Sequence, residues 1–316
     1  MARLPVDARI GKILILGCIL QCISPALSIA AYLSHKSPFI SSQDQELSKS
    51  LLAPFLARGQ ASEQQSDHLV LAAVMDGWIH ARSSGDLAAS SFAKKYSLSV
   101  QNVRLIMEMR SQFAEMLSEA GLLENPQMQM KSRIDGIDWY DHRNCLQNAN
   151  KDHPAVVKSV LVAALYPNVA VMDDITPGNK PTWHDGSGDV TIHPSSVLSG
   201  LSASNFHRPF LVYNEKMRTS KVFLRECSTA SPLSIFLFGG DAEIDYRGGY
   251  AIIDGWIRIK VLGRTAAILL MLRDRLSNVL RKKIDNRKSG QIIDFDVIES
   301  VKRLLDKEEQ LIQWNK

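Results

Sequence analysis

The feature that most constrains this chain is an apolar run near its N-terminus, IGKILILGCILQCISPALSIAAYLS at residues 10–34. A transmembrane helix needs about 20 predominantly apolar residues in succession. Here Gln21, Ser24 and Pro25 interrupt the run. A proline lacks the backbone donor that a helix interior needs, and it disfavours the helical conformation of the residue before it. The run therefore does not predict a single membrane-spanning helix.

The interruption instead predicts two buried helices, Asp7–Leu20 and Pro25–Ser34. Ser24 is the expected N-cap of the second helix, and Pro25 is its expected first residue. The alternative is a targeting segment, because a basic lead precedes the run and ALSIAAYLS passes for a small-residue cleavage region.

The following residues predict a linker and then a helical bundle. Residues 41–66 are polar and are broken by proline and glycine. Residues 67–123 carry apolar side chains at helical spacing, with Ser66 or Asp67 as the first cap and Ser99 as the cap of a longer amphipathic helix. This pattern describes a scaffold and indicates no chemistry.

The second half of the chain changes from helix to strand and back. Residues 124–150 are mixed and predict a second linker, with a short helix in DWYDHRNC. A helix over Ala155–Leu165 comes next, and short runs rich in Val, Ile, Phe and Tyr continue to Lys260. The predicted strands are GDVTIHPSSV, FLVYNEKMR, KVFLREC, SIFLFGG and YAIIDGWIRIKV. Five or six short strands at this spacing fit a small barrel.

Residues 263–316 return to a helical pattern, so the predicted fold class is α+β with several domains. The net charge of +4 is mild, but ten Lys or Arg against two Asp between Arg258 and Lys288 give a local net charge of +8. Such a concentration of charge indicates an anionic partner, either nucleic acid or a membrane surface, or else a solvated helix face.

The cysteines predict neither a disulfide framework nor a metal site. Cys18, Cys22, Cys145 and Cys227 form no C-x-x-C pair. Cys18 and Cys22 lie among Ile and Leu, which favours buried apolar thiols over metal ligands.

No catalytic constellation is evident. The Gly-Lys of ARIGKIL lacks the earlier glycine and the following Ser or Thr of a phosphate loop. The carboxylate pairs Asp173-Asp174 and Asp294-x-Asp296 fit a loop and a helix cap. The Gly-rich loop HDGSGD contains His184 and Asp185, and turn chemistry explains these residues no less well than catalysis does. We therefore predict no catalytic residue, no metal and no cofactor in this chain.

The segment RPFLVYNEKMRTSKVFLR at residues 208–225 is the best candidate binding region. It combines cations with hydroxyl groups, which suits a phosphate backbone. Tyr213 and Phe223 are candidates either for stacking on a base or for filling the core. Strand alternation places half of these side chains on the opposite face.

Several long strings resemble, in order, the C-terminal half of DEAH/DExH-box RNA helicases, and most of all the RNA helicase A group. LPVDARIGKILILGCILQCISPALSIAAYLSHKSPF resembles the end of the winged-helix region, and FAKKYSLSVQNVRLIMEMRSQF resembles the helical-bundle or ratchet segment. VVKSVLVAALYPNVAVM, VTIHPSSV, FLVYNEKMRTSKVFLRECSTASPLSIFLFGG and DGWIRIKV resemble the oligonucleotide-binding (OB) barrel. The resemblance spans nearly all of residues 4–262 and implies that the apolar N-terminal pair packs inside the protein.

The resemblance implies six segments. They are the end of the winged-helix region at 1–40, a linker at 41–66, the ratchet or helicase-associated bundle at 67–123, a linker at 124–150, an OB-fold at 151–262 and a C-terminal helical extension at 263–316.

The resemblance also implies RNA contact at the strand-loop edge of the barrel, through backbone phosphates and 2′-hydroxyl groups. The matching positions here are His193, Ser195, Ser196, Lys216, Arg218, Thr219, Ser220, Lys221 and Arg225. The implied partners are single-stranded RNA, bound with little sequence preference, and a helicase motor or an activator protein. No membrane partner is implied.

The family motor carries a phosphate loop, a D-E-x-H box and an arginine finger, and none of these strings occurs in this chain. We therefore expect a fragment or a separately encoded accessory part with no ATP hydrolysis of its own, ATP and magnesium belonging to the motor domains. We expect a soluble protein of the cytoplasm or nucleus, with organellar import as an alternative. The alternative function is a protein-interaction scaffold that docks a helicase or ribosomal partner.

Overall fold

A computed structural model describes most of the chain, namely residues 6–40, 51–55, 65–123, 133–134, 137–142, 145–173, 180–285 and 295–312. It divides into two compact units, Met1–Val160 and Leu161–Lys316. Most of the predicted linker at 41–66, together with Asp174 and Asp294, lies outside the described residues.

The first unit is mainly helical. Its α-helices include α1 (Ala8–Ile19), α2 (Ile23–Leu33), α3 (Asp67–Ser83), α4 (Asp86–Lys95) and α5 (Val100–Glu119), and residues 51–55 are also helical. Ser66 Oγ accepts from Leu69 N at 3.0 Å and Ser99 Oγ accepts from Asn102 N at 3.4 Å, so both predicted caps are confirmed.

The apolar N-terminal run forms α1 and α2, which pack against each other inside the first unit. Asp7 caps α1, and most residues of both helices are buried. The two helices approach closely at Gly17, where an added Cβ would lie 2.4 Å from Ala26 Cβ. The prediction of two inward-packed helices is confirmed. Among the described residues, no helix combines the length and the apolar composition that a membrane span requires.

The predicted start of the second helix is wrong by two residues. Cys22 occupies the N-cap without a side-chain hydrogen bond, and Ser24 lies within the helix. Asn148 Oδ1, distant in sequence, accepts from Ser24 N at 2.9 Å. The Ser24 hydroxyl donates to Asp141 Oδ1 at 2.6 Å. A tertiary partner therefore satisfies the amide that a local cap would have satisfied.

A buried polar network joins α2 to α5. Arg110 of α5 donates to the Ser24 carbonyl oxygen at 3.2 Å and also bonds Ser28 and the Asp141 carboxylate. Asp141 ends a 3-10 turn, Trp139–Asp141, which confirms the short helix predicted in DWYDHRNC. Arg110 was not predicted to be buried.

The remaining elements of the first unit are short. A two-stranded hairpin pairs β1 (Arg133–Ile134) with β2 (Ile137–Asp138). A second 3-10 turn covers Leu146–Asn148. Helix α6 (Pro154–Leu165), as predicted from the sequence, carries the chain into the second unit.

The second unit begins with a closed five-stranded barrel. Its strands are β3 (Val169–Met172), β4 (Trp183–His184), β5 (Asp189–Ile192), β6 (Phe210–Arg218) and β7 (Val222–Ala230), in the order β3-β4-β5-β7-β6. The β5–β7 pair is parallel and the other described pairs are antiparallel. Trp183, Leu211, Tyr213 and Leu224 belong to its core, so Tyr213 fills the interior.

The run SIFLFGG, predicted as a strand, forms helix α7 (Pro232–Phe238) instead. Ser231 caps it, with its Oγ accepting from Ser234 N at 3.0 Å, and Pro232 occupies the first helical position. A proline at this position is already in the helical range of φ and loses no intrahelical bond.

The run YAIIDGWIRIKV is a hairpin outside the barrel. Strands β8 (Ala242–Asp245), β9 (Tyr250–Ile253) and β10 (Ile257–Lys260) form a separate antiparallel sheet in the order β10-β9-β8. The prediction that DGWIRIKV contributes to the barrel is therefore wrong. The reason is that a tight turn after Ile253 lets β10 pair with the preceding strand β9, so the backbone groups of β10 find their hydrogen-bond partners locally.

Two C-terminal helices, α8 (Gly263–Asp285) and α9 (Phe295–Ile312), complete the second unit. Arg273 of α8 donates to the carbonyl oxygens of Phe236 at 2.8 Å and Gly239 at 2.7 Å, at the C-terminal end of α7. Glu308 of α9 accepts from Leu233 N at 3.2 Å, at the opposite end. Burial raises the pKa of the Glu308 carboxyl, although the nearby Arg208 opposes this shift.

Candidate nucleic-acid interface

The candidate interface is centred on the hairpin formed by β6 and β7. These strands pair from Phe210 with Ala230 to Arg218 with Val222, and residues 219–221 close the turn. Thr219 N donates to Lys221 O at 2.9 Å. The side chains of Thr219, Ser220 and Lys221 are all exposed at this tip.

The register divides the predicted cations between two faces. Lys216 lies opposite Leu224 and Arg218 lies opposite Val222, so these four side chains share one face. Glu215 lies opposite Arg225 on the other face. The expected division by strand alternation is confirmed.

Lys216 is held by the loop between β4 and β5. Its Nζ forms an ion pair with Asp185 Oδ2 and lies 2.9 Å from Ser187 Oγ. The Tyr213 hydroxyl donates to the same carboxylate at 3.5 Å. The Asp185 side chain is 3% exposed. Burial alone would raise the pKa of Asp185, but hydrogen bonds from Lys216 and Ser187 outweigh it and lower the pKa.

The loop that carries Asp185 is shaped by glycine. Gly186 has φ +81°, and a Cβ at this position would lie 3.1 Å from the Trp256 ring. His184 meets the same indole ring edge-on, with centroids 5.4 Å apart. The HDGSGD motif therefore positions a carboxylate for Lys216, which extends its predicted role as a turn.

The opposite face carries His193 and Arg225. His193 Nδ1 lies 2.7 Å from Ser195 Oγ, and its ring packs edge-on against Phe223 at 5.6 Å between centroids. Partial burial and the Arg225 guanidinium lower the pKa of His193. Arg225 Nη1 lies 3.8 Å from Glu215 Oε2, so part of its charge is balanced.

The structure does not bring all predicted site residues together. Ser196 is 1% exposed and its Oγ accepts from Leu198 N at 3.2 Å, so its hydroxyl faces the protein. The residues that share the exposed end of the hairpin are Arg218, Thr219, Ser220 and Lys221. Neither cation of this group forms an ion pair with any other described residue. The nine assignments stay predictions.

Sequence reasoning missed Asp185 and Ser187 as partners of Lys216. The available signal was the Gly-rich loop itself, because two glycines around polar residues indicate a fixed turn. In the part of the chain that the structure describes, no three His, Cys, Asp or Glu residues are arranged to hold a metal ion.

Three family models match successive parts of the chain. The model of the helicase associated domain (HA2), ratchet-like, matches residues 7–71. The model of the oligonucleotide/oligosaccharide-binding (OB)-fold matches residues 157–242, which include the whole closed barrel. The model of the C-terminal domain in RNA helicases matches residues 249–307, which include β9, β10 and α8. These domains define a helicase-associated region of the RNA helicase class.

Curated relatives agree with these models. The chain is 34% identical to the chloroplastic DExH-box ATP-dependent RNA helicase DExH4 of Arabidopsis thaliana, over 98% of this chain and 23% of the relative. It is 33% identical to the ATP-dependent DNA/RNA helicase DHX36 of Mus musculus, over 94% of this chain and 28% of the relative. It is 32% identical to the human ATP-dependent RNA helicase DHX29, over 91% of this chain and 20% of the relative.

The chain belongs to the DExH-box RNA helicases, as the region that carries their helicase-associated, OB-fold and C-terminal domains. It spans about a quarter of the length of the curated relatives that it matches. The helicase-associated model lies N-terminal to most of residues 67–123, where the resemblance put the ratchet, and the six predicted segment boundaries stay predictions.

Proposed function

We propose that this chain is an RNA-binding module that guides single-stranded RNA for an ATP-driven helicase motor. The observation that carries the proposal is the exposed end of the β6–β7 hairpin, where Arg218 and Lys221 flank Thr219 and Ser220. Cations and short hydroxyl donors suit phosphate oxygens and ribose hydroxyls, which are the same for every base. Binding should therefore depend little on RNA sequence.

The contacts of the hairpin rank its cations. Lys216 is engaged by Asp185 and Ser187, and Arg225 is partly balanced by Glu215. Arg218 and Lys221 have no such carboxylate among the described residues. A phosphate can pair with these two side chains without first breaking an ion pair, so we assign them the larger share of RNA affinity.

The motor, its ATP and its magnesium belong in this proposal to other domains of a helicase. The proposed partners are RNA and either that motor or an activator protein. The proposed compartment is the cytoplasm or nucleus, with an organelle as the alternative because one relative is named chloroplastic.

The test is the salt dependence of RNA binding by the full chain. Fluorescence anisotropy with labelled oligouridine would give Kd across a series of salt concentrations. Each phosphate contact on a single strand contributes about −0.7 to the slope of log K against log salt. Removing two contacts with Arg218→Ala/Lys221→Ala should therefore reduce the magnitude of the slope by about 1.4.

The matched control is Arg303→Ala/Lys307→Ala, which removes two exposed positive charges from α9. This variant should keep the wild-type slope. An unchanged slope in the hairpin variant would place the RNA contact elsewhere. If the wild-type chain binds no oligonucleotide but retains a protein partner after nuclease treatment, the scaffold alternative replaces RNA binding.

A further inference from the structure

Helix α8 presents one exposed stripe along its whole length, separate from the hairpin. The stripe residues recur at intervals of three or four, which places them on one side of a helix. They are all exposed: Arg264, Ile268, Met271, Arg275, Asn278 and Lys282. Ala266 and Leu276 lie on the buried side. At 1.5 Å per residue the stripe is about 27 Å long.

The centre of this α8 stripe is apolar. Ile268 is 66% exposed and Met271 is 63% exposed, and Leu262 just before the helix is 78% exposed. Single exposed apolar residues need no explanation, but neighbouring large ones indicate an interaction site. Methionine adapts its shape to a partner surface because its side chain is unbranched.

Cations bracket the apolar centre. Arg264 lies one turn before Ile268, and Arg275 lies one turn after Met271. Neither arginine forms an ion pair with a described residue. Arg273, by contrast, lies on the buried side and bonds the end of α7. Arg264 and Arg275 are therefore exposed cations of this helix, whereas Arg273 has a structural role.

The pattern favours a protein partner over RNA, lipid or a second copy. The stripe has no aromatic side chain on which a base could stack. A lipid-binding helix buries a continuous apolar face, whereas here two cationic turns enclose one apolar turn. Two copies of the stripe would bring like charges together. Interface cores are enriched in Met and Arg, and opposite charges at their rim set the partner.

We propose that the α8 stripe docks an acidic amphipathic helix of a partner protein. Apolar side chains of that helix cover Ile268 and Met271, and its carboxylates pair with Arg264 and Arg275. These arginines are eleven positions apart in the sequence, or about three helical turns. A partner helix aligned with α8 should therefore carry acidic residues about three turns apart, with apolar residues between them.

The probe is a labelled synthetic peptide of about 18 residues with this pattern, which is long enough for about five turns. Its binding to the full chain would be measured by fluorescence anisotropy. Ile268→Gln/Met271→Gln should weaken binding at least about tenfold, because apolar anchors at an interface centre carry most of its affinity. Glutamine retains helix propensity, so α8 should remain folded.

A charge exchange tests the proposed pairing directly. The variant Arg264→Glu/Arg275→Glu should not bind the acidic peptide. It should instead bind a second peptide in which Lys replaces each acidic residue. The matched control Leu87→Gln, at an exposed leucine of α4, should bind like the wild type. Failure of the charge exchange to restore binding would overturn the proposal.

Three further outcomes would also overturn it. The stripe would be an RNA site if Arg264→Glu/Arg275→Glu lost oligouridine binding and the wild type bound no peptide. It would be a lipid site if the chain cosedimented with anionic vesicles and this depended on the stripe. It would be a dimer interface if the chain formed concentration-dependent dimers that Ile268→Gln/Met271→Gln abolished. None of these measurements uses the hairpin variant, so failure here leaves the RNA-binding proposal intact.

Discussion

At the scale of single residues, Arg110 places a buried positive charge in the first unit. It is fully buried and forms an ion pair with the buried Asp141. Arg110→Met should lower the free energy of unfolding by about 3–5 kcal/mol, because it leaves a buried carboxylate without its cation. Urea unfolding would measure the change. The control Arg104→Met, at an exposed position of the same helix, should stay within about 0.5 kcal/mol of the wild type.

A double replacement separates the ion pair from simple packing. Arg110→Met/Asp141→Leu should recover much of the lost stability, since an apolar pair can replace a buried ion pair. No recovery would mean that the Ser24 and Ser28 contacts of Arg110 matter more than its charge.

Residue partners of this kind could not be predicted from the sequence. Arg110 and Asp141 are 31 positions apart, as are Lys216 and Asp185, and neither pair has a local pattern. The chemistry of the cations was evident in the sequence, but their availability was not, because it depends on carboxylates brought in by the fold.

At the scale of elements, prediction succeeded where the signal was local. The strand run FLVYNEKMR corresponds residue for residue to β6, because long alternating and β-branched runs favour a strand on their own. Prediction failed for α7, where a short apolar run fits helix or strand equally well. Arg273 and Glu308, from helices later in the chain, bond the two ends of α7 and support the helical choice.

The close approach of α1 to α2 gives an element-scale prediction. Gly17→Ala should destabilise the chain by about 1–3 kcal/mol, because overpacking outweighs the higher helix propensity of alanine. The clash is with Ala26, at 2.4 Å from the added Cβ. In Gly11→Ala the nearest atom is 3.7 Å away, so the same replacement should be neutral or stabilising by up to about 1 kcal/mol. Thermal unfolding would measure the Tm of both variants. Equal shifts in Tm would contradict the prediction, because they would mean that α1 packs loosely on α2.

At the scale of the whole molecule, the fold explains why an apolar N-terminal run and a basic C-terminal helix can coexist in one chain. The apolar run is buried inside the helical unit, whereas the cations of α8 lie mainly on the side of that helix away from its buried face. Composition alone could not separate these roles, because it does not record which side of a helix is covered.

The last prediction concerns what the whole chain does with ATP. RNA contact requires only exposed donors and cations, which this chain has. Phosphoryl transfer requires a cradle for the phosphates and a magnesium ligand, and neither the phosphate loop nor the D-E-x-H box occurs in the 316 residues. The purified chain should therefore bind oligouridine while releasing no phosphate from ATP above the buffer rate, with or without RNA. RNA-stimulated release of phosphate that comigrates with the chain through two chromatography steps would contradict this division between an RNA-binding module and a motor.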